Sequence, residues 1–220
     1  MLTPLQVKAL LATAALSSAV GLVLELLLVT QASYLLGNAI LATGVVVGTF
    51  LAAMGLGAWA SQFIGGGPDG GDHPPTLLRA FLFVELALSP LCLLAPLALF
   101  ALFRADGPVW LALVLFTLLV GALGGMELPL LTRLLQCQQM LRTALARALA
   151  LDYAGALVGS LLFPLVLLPW LGVLPTAGLL SLLPLACSAA LCWLFPGCVG
   201  RWRWRVSALL PVGSLAALAI

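Results

Sequence analysis

Residues 9–30 carry a single charged side chain, Glu25, in a run that is otherwise apolar or weakly polar. About 20 such residues wound as a helix cross the hydrocarbon core of a bilayer. A run of this kind restricts the fold sharply, because backbone polar groups in lipid must be satisfied within the segment. Similar runs recur along the chain, separated by short polar breaks, and predict spanning helices at residues 8–30, 38–61, 77–103, 108–131, 148–171 and 173–195. The final stretch, 206–220, is too short to span comfortably and reads as the start of a seventh helix. Continuous apolarity without alternation excludes a membrane barrel. Residues 8–30 are also too long for the apolar core of a signal peptide, and no small-x-small cleavage site closes them.

Composition agrees. The chain is 64% hydrophobic and 7% charged, with mean hydropathy +1.24, whereas a soluble domain is about 25% charged. The expected fold class is therefore all-α, a polytopic integral membrane helix bundle of six to seven transmembrane helices. It forms one transmembrane domain over 1–220, with a first three-helix unit at 1–103, a second at 108–196, and the seventh helix beginning at 206–220.

Threading six helices back and forth puts Lys8, Arg79, Arg133, Arg142, Arg147, Arg201, Arg203 and Arg205 on one side and Arg104 on the other. Basic residues concentrate on the cytoplasmic side, so the N-terminus is expected in the cytoplasm, and the bilayer in question is expected to be a bacterial inner membrane. The net charge of +2 then reflects arginines beside lipid headgroups and gives no reason to expect nucleic acid as a partner. Trp59, Trp110, Trp170, Trp193, Trp202 and Trp204 fall mostly near helix ends, as interfacial anchors do. Residues 134–149, with Gln136, Gln138, Gln139, Arg142 and Arg147 among leucines and alanines, are expected to form an amphipathic surface helix or an N-terminal extension of the fifth span.

Four of the seven carboxylates, Glu25, Glu85, Glu127 and Asp152, lie within apolar segments. Charge in hydrocarbon is costly, so such residues face protein or water and mark functional positions by default. Glu25 comes late in the first span and is followed in the second by Gly44-Val45-Val46-Val47-Gly48-Thr49. Glu127 comes late in the fourth and is followed in the fifth by Gly155-Ala156-Leu157-Val158-Gly159-Ser160. Three helices followed by three equivalent ones must have opposite orientations, so this spacing allows a 3+3 inverted repeat. A shared alphabet of Leu, Ala, Val and Gly explains the likeness equally well. The repeat puts Glu25 toward the outer half and Glu127 toward the inner half, and Glu85, outside the repeated pairs, is expected to be structural. The candidate substrate-binding residues are Glu25, Glu127 and Asp152, with Tyr153 and Arg133; carboxylates suit a polyamine or another small cation.

The glycine pairs Gly44/Gly48, Gly121/Gly125 and Gly155/Gly159 allow close helix packing. Prolines 90, 96, 129, 164, 169 and 184 mark kinks, and Glu127-Leu128-Pro129 makes the fourth helix the expected broken one. The glycine-rich stretch Gly65-Gly66-Gly67-Pro68-Asp69-Gly70-Gly71 lacks the strand and helix that a nucleotide loop needs, and reads as a connector. Five cysteines without a C-x-x-C pair, and one histidine, His73, give no basis for zinc, a disulfide framework or a Ser-His-Asp arrangement. No catalytic group, metal or cofactor is expected from these residues.

The stretches GLVLELLLVTQASYLLGNAILATGVVVGTFLAAMGLGAWAS, GMELPLLTRLLQ and ALALDYAGALVGSLLFPLVLLPWLG, in this order, resemble the membrane-embedded N-terminal region of bacterial spermidine synthase-like proteins. The resemblance implies a bundle of about seven helices preceding a soluble aminopropyltransferase domain, which transfers an aminopropyl group from decarboxylated S-adenosylmethionine to putrescine. The strand-borne glycine loop and acidic residues of that domain have no counterpart here, so no catalytic residue carries over. Two functional expectations follow. One is a non-catalytic module that anchors, or handles polyamine for, an aminopropyltransferase domain absent from this chain. The other is an independent carrier of a small solute or cation.

Overall fold

The computed structural model describes residues 3–65, 73–136 and 141–195, with Leu141 described by its backbone alone. Part of the glycine-rich stretch, residues 137–140, the Arg201 to Arg205 segment and the expected seventh helix lie outside the described residues. Among the described residues there are six α-helices: α1 (Pro4–Leu36), α2 (Ala39–Ala60), α3 (Pro74–Arg104), α4 (Val109–Gln136), α5 (Leu141–Leu162) and α6 (Val173–Leu194). All six, α5 taken with the turns that follow it, are long and apolar enough to cross a membrane.

Local chemistry sets the boundaries. Thr3 caps α1 by accepting from the Gln6 N–H at 3.3 Å, while the Gln6 side chain accepts from the Thr3 N–H at 2.8 Å. This reciprocal pair satisfies two donors that a helix start leaves open, which is why α1 begins four residues before the expected span. Gly37, at φ 71°, then reverses the chain in a conformation that favours glycine. Asn38 caps α2 by accepting from the Leu41 N–H at 3.0 Å.

Helix α4 is continuous through Pro129, contrary to the expected break. The irregular backbone lies instead after α5, where Phe163–Leu171 winds as a π-helix containing Pro164 and Pro169. Neither proline has an N–H to give to the helical ladder, and the wider turn redistributes the carbonyl partners. Its end is closed by the Gly172 N–H, shared between the Leu167 and Leu168 carbonyls at 3.2 and 3.0 Å. Part of the 134–149 connector is settled too: residues 134–136 finish α4, and 142–149 form the first turns of α5.

The helices pair in a pattern that skips their chain order. Helix α2 runs along α4, α1 along α5, and α3 lies between α4 and α6. Both α2–α4 and α1–α5 are parallel, and glycines bring their backbones together. A Cβ at Gly121 would stand 2.8 Å from the Phe50 carbonyl oxygen, and one at Gly159 2.7 Å from that of Ala19. Gly125 and Gly155 approach the Met54 and Ala15 carbonyls more closely still. Gly44 and Gly48, by contrast, have open space around them on the outer face of α2, so one of the three glycine pairs does not pack. Exchange of α1 with α4, α2 with α5 and α3 with α6 carries the α1–α5 contact onto α4–α2, and the α1–α6 contact onto α4–α3.

The core is apolar, centred on Leu24, Leu27, Phe81, Leu82, Leu130 and Leu131. The outside is apolar as well, since Ile40, Leu51, Leu56, Phe83, Leu111, Leu165, Trp170 and Trp193 are exposed. Exposed apolar surface on this scale marks a face for contact with other proteins or with a membrane.

Candidate functional site

A polar layer interrupts the apolar core where α1, α3 and α4 meet. Its centre is Glu85 of α3, fully buried at 0% exposure. Glu127 of α4, 9% exposed, is its electrostatic neighbour, and the Ser17 hydroxyl of α1 faces both carboxylates. The Ser17 hydroxyl has a single proton to offer to these two carboxyl groups, so their hydrogen-bonding capacity is incompletely met within the protein. Buried polar groups are nearly always paired, so two buried carboxyl groups beside one serine hydroxyl set this layer apart.

Helix periodicity explains the convergence. Ser17 lies one turn beyond Thr13 on the buried side of α1, and Ser89 and Cys92 follow Glu85 on the buried side of α3. Around the carboxylates, one turn away on their own helices, stand Phe81, Leu88, Leu130 and Leu131, all buried and apolar. Cys187 of α6 borders Glu85 and Thr13. Among the described residues no group of histidine, cysteine, aspartate and glutamate is arranged to hold a metal ion.

Only some of the candidates from the sequence are brought together. Asp152, half-buried on α5, is the next carboxylate from Glu127, and its main-chain carbonyl accepts from the Ser18 hydroxyl at 2.8 Å. Glu25 is buried at 8% exposure, but lies eight positions beyond Ser17 on α1, about 12 Å along the axis. It is separate from the central layer. Tyr153 is 68% exposed on the outer side of α5 and does not enter the interior. Arg133 lies in the last turn of α4, where its guanidinium donates to the Ser61 carbonyl at 2.8 Å and ties α4 to the end of α2. It borders a groove of about 310 Å³ with Leu128, Pro129, Thr132, Gln136 and Leu145.

Glu85 is the most deeply buried of the four carboxylates that lie within apolar segments. Its place outside the repeated pairs gave the expectation of a structural residue, and it stands in the middle of the layer, among packed helices. The available signal was its burial-prone context, Phe81-Leu82-Phe83-Val84-Glu85, which is as apolar as that of Glu25.

The chain is 34% identical over 179 residues to a polyamine aminopropyltransferase of Leptospira interrogans, covering 81% of this chain and 34% of that protein. It is 42% identical over 164 residues to polyamine aminopropyltransferase 1 of Streptomyces coelicolor, covering 74% of this chain and 29% of the relative. It is 36% identical over 221 residues to the polyamine aminopropyltransferase of Mycobacterium tuberculosis, covering 95% of this chain and 40% of the relative. The chain thus spans about a third of the length of the curated relatives it matches. No family model matches it, and no solved structure matches it significantly.

These relatives correct the expected function. Proteins that match 74 to 95% of this chain are themselves named as aminopropyltransferases, so the matched segment is an integral part of chains named as enzymes. The expectation of a non-catalytic module serving an enzyme domain elsewhere is set aside. None of the three relatives is named as a transporter, so the carrier alternative gains no support.

Proposed function

We propose that this protein is a polyamine aminopropyltransferase whose helical bundle lies in a membrane. The observation that carries the proposal is sequence identity of 34 to 42% to enzymes of that name over most of the chain. The transferred group would come from decarboxylated S-adenosylmethionine, the donor implied by the family resemblance. A polyamine or its diamine precursor is the acceptor, and its cationic nitrogens suit the carboxylates Glu127 and Asp152.

Membrane embedding is favoured by the six long apolar helices and by the large side chains they expose. Trp59, Trp170 and Trp193 sit exposed near helix ends, as interfacial aromatics do. Lys8, Arg79, Arg133, Arg142 and Arg147 fall at one end of the described helices and Arg104 at the other, which supports a cytoplasmic N-terminus. The helix pairing, α1–α5 matched by α4–α2, favours the inverted three-helix repeat.

The experiment is an assay of the purified, lipid-embedded protein with decarboxylated S-adenosylmethionine and putrescine. Formation of spermidine is the expected result. No product at saturating concentrations of both substrates would exclude the proposal.

A further inference from the structure

We propose that the groove between α4 and α5 holds an anionic phospholipid, with an acyl chain inside the groove and the phosphate at its mouth. The groove, about 310 Å³, is walled by Leu128, Pro129, Thr132, Arg133 and Gln136 of α4 and by Leu145 of α5. Gln136 is the last residue of α4, so the wall from Leu128 to Gln136 reaches from the helix end about 12 Å into the body of the bundle.

Polarity is graded along this wall. Inside, the Thr132 hydroxyl donates to the Leu128 carbonyl of its own helix at 2.8 Å, so Leu128, Pro129 and Leu145 are left as the contact surface. At the mouth, Arg142 stands exposed one turn before Leu145 on the same face of α5, where α4 ends at Gln136. Arg133, held at the Ser61 carbonyl at 2.8 Å, is a second basic residue in the wall. The carboxylates of these two helices lie elsewhere. Glu127 is buried in the interior beside Glu85, and Asp152 is ten positions beyond Arg142, about 15 Å along α5.

A surface that is basic at the mouth and apolar within complements an acyl chain ending in a phosphate, and basic pockets between spanning helices on the cytoplasmic side bind such headgroups. A zwitterionic lipid brings the same chain with its phosphate charge offset, so the arginine discriminates against it. Inorganic phosphate, lacking the chain, gains nothing from the apolar wall. The inference rests on the membrane reading and is independent of the enzymatic one.

The test is binding of radiolabelled phosphatidylglycerol to the purified full chain in detergent micelles, with phosphatidylcholine and inorganic phosphate as separate competitors. Wild type should bind it saturably, with weak displacement by phosphatidylcholine and none by inorganic phosphate. Arg142→Gln should weaken binding about fivefold, the effect of one basic residue beside an anionic lipid, and Arg142→Lys should restore most of it. Leu145→Trp, which fills the groove from an exposed position, should weaken it at least as much. Arg104→Gln, the same loss of charge at the opposite end of the bundle, should bind as wild type does. Equal affinity for the two lipids, displacement by inorganic phosphate, equal losses from Arg142→Gln and Arg104→Gln, or unchanged binding by Leu145→Trp would overturn the proposal. A chain that stays monodisperse without detergent would fail the membrane reading and this inference with it, whereas a detergent-dependent chain with no lipid preference fails this inference alone.

Discussion

Glu85 on α3 and Glu127 on α4 are buried electrostatic neighbours that share one nearby donor, the Ser17 hydroxyl of α1. One hydroxyl cannot satisfy two buried carboxyl groups, so the arrangement opposes folding. Replacement of Glu85 by methionine, close in volume and free of the under-satisfied oxygens, should stabilise the protein by about 1–3 kcal/mol. Thermal unfolding in detergent measures this directly. A lower midpoint for Glu85→Met would mean that the carboxyl is a structural tie.

Close helix contact at Gly125 and Gly155 leaves no space for a side chain, because the Met54 and Ala15 carbonyls already occupy it. Gly125→Val and Gly155→Val should each destabilise the bundle by about 1–3 kcal/mol, the usual cost of overpacking. Gly44→Ala and Gly48→Ala meet nothing within 4 Å and should be neutral or stabilising by up to about 1 kcal/mol through helix propensity. Equal effects at all four positions would refute the packing described.

Two hydroxyls tie separate interfaces. Ser18 donates to the Asp152 carbonyl at 2.8 Å between α1 and α5, and Ser89 donates to the Ser181 carbonyl at 2.7 Å between α3 and α6. Each alanine replacement should cost about 0.6 kcal/mol, the average for such bonds between membrane helices. Their effects should add, since the pairs share no partner. Strong coupling in a double mutant would indicate that one interface controls the other.

Orientation is open to labelling. With the native cysteines replaced, a cysteine at Thr143, in the first turn of α5, should react with an impermeant thiol reagent only after the cells are opened. A cysteine at Asp106, in the α3–α4 turn, should react from outside. The reverse pattern would invert the topology.

The six long helices were readable because apolar runs and polar breaks alternate along the chain, and each of the six expected spans has its counterpart among the described residues. Their ends were less so. Helix α1 extends to Leu36, where Gly37 stops it, because capping and backbone conformation decide termination and hydropathy does not. Proline positions were visible, but their effects depend on neighbours: α4 absorbs Pro129 without a break, whereas the backbone around Pro164 and Pro169 widens into π turns. The site was half legible. Glu127 and Asp152 lie in or beside the layer, Glu25 and Tyr153 lie away from it, and the central place of Glu85 was not foreseen, since helix rotation and cross-chain packing decide which carboxylates meet.

The central claim, that these carboxylates serve the amine substrate of an aminopropyltransferase, is tested most directly by steady-state kinetics of Glu127→Gln beside wild type in lipid. Wild type should form spermidine from putrescine and decarboxylated S-adenosylmethionine. The variant should show a KM for putrescine raised about tenfold or more, with the KM for the sulfonium donor unchanged. No activity in wild type, or a variant with unchanged KM for the amine, would contradict the account.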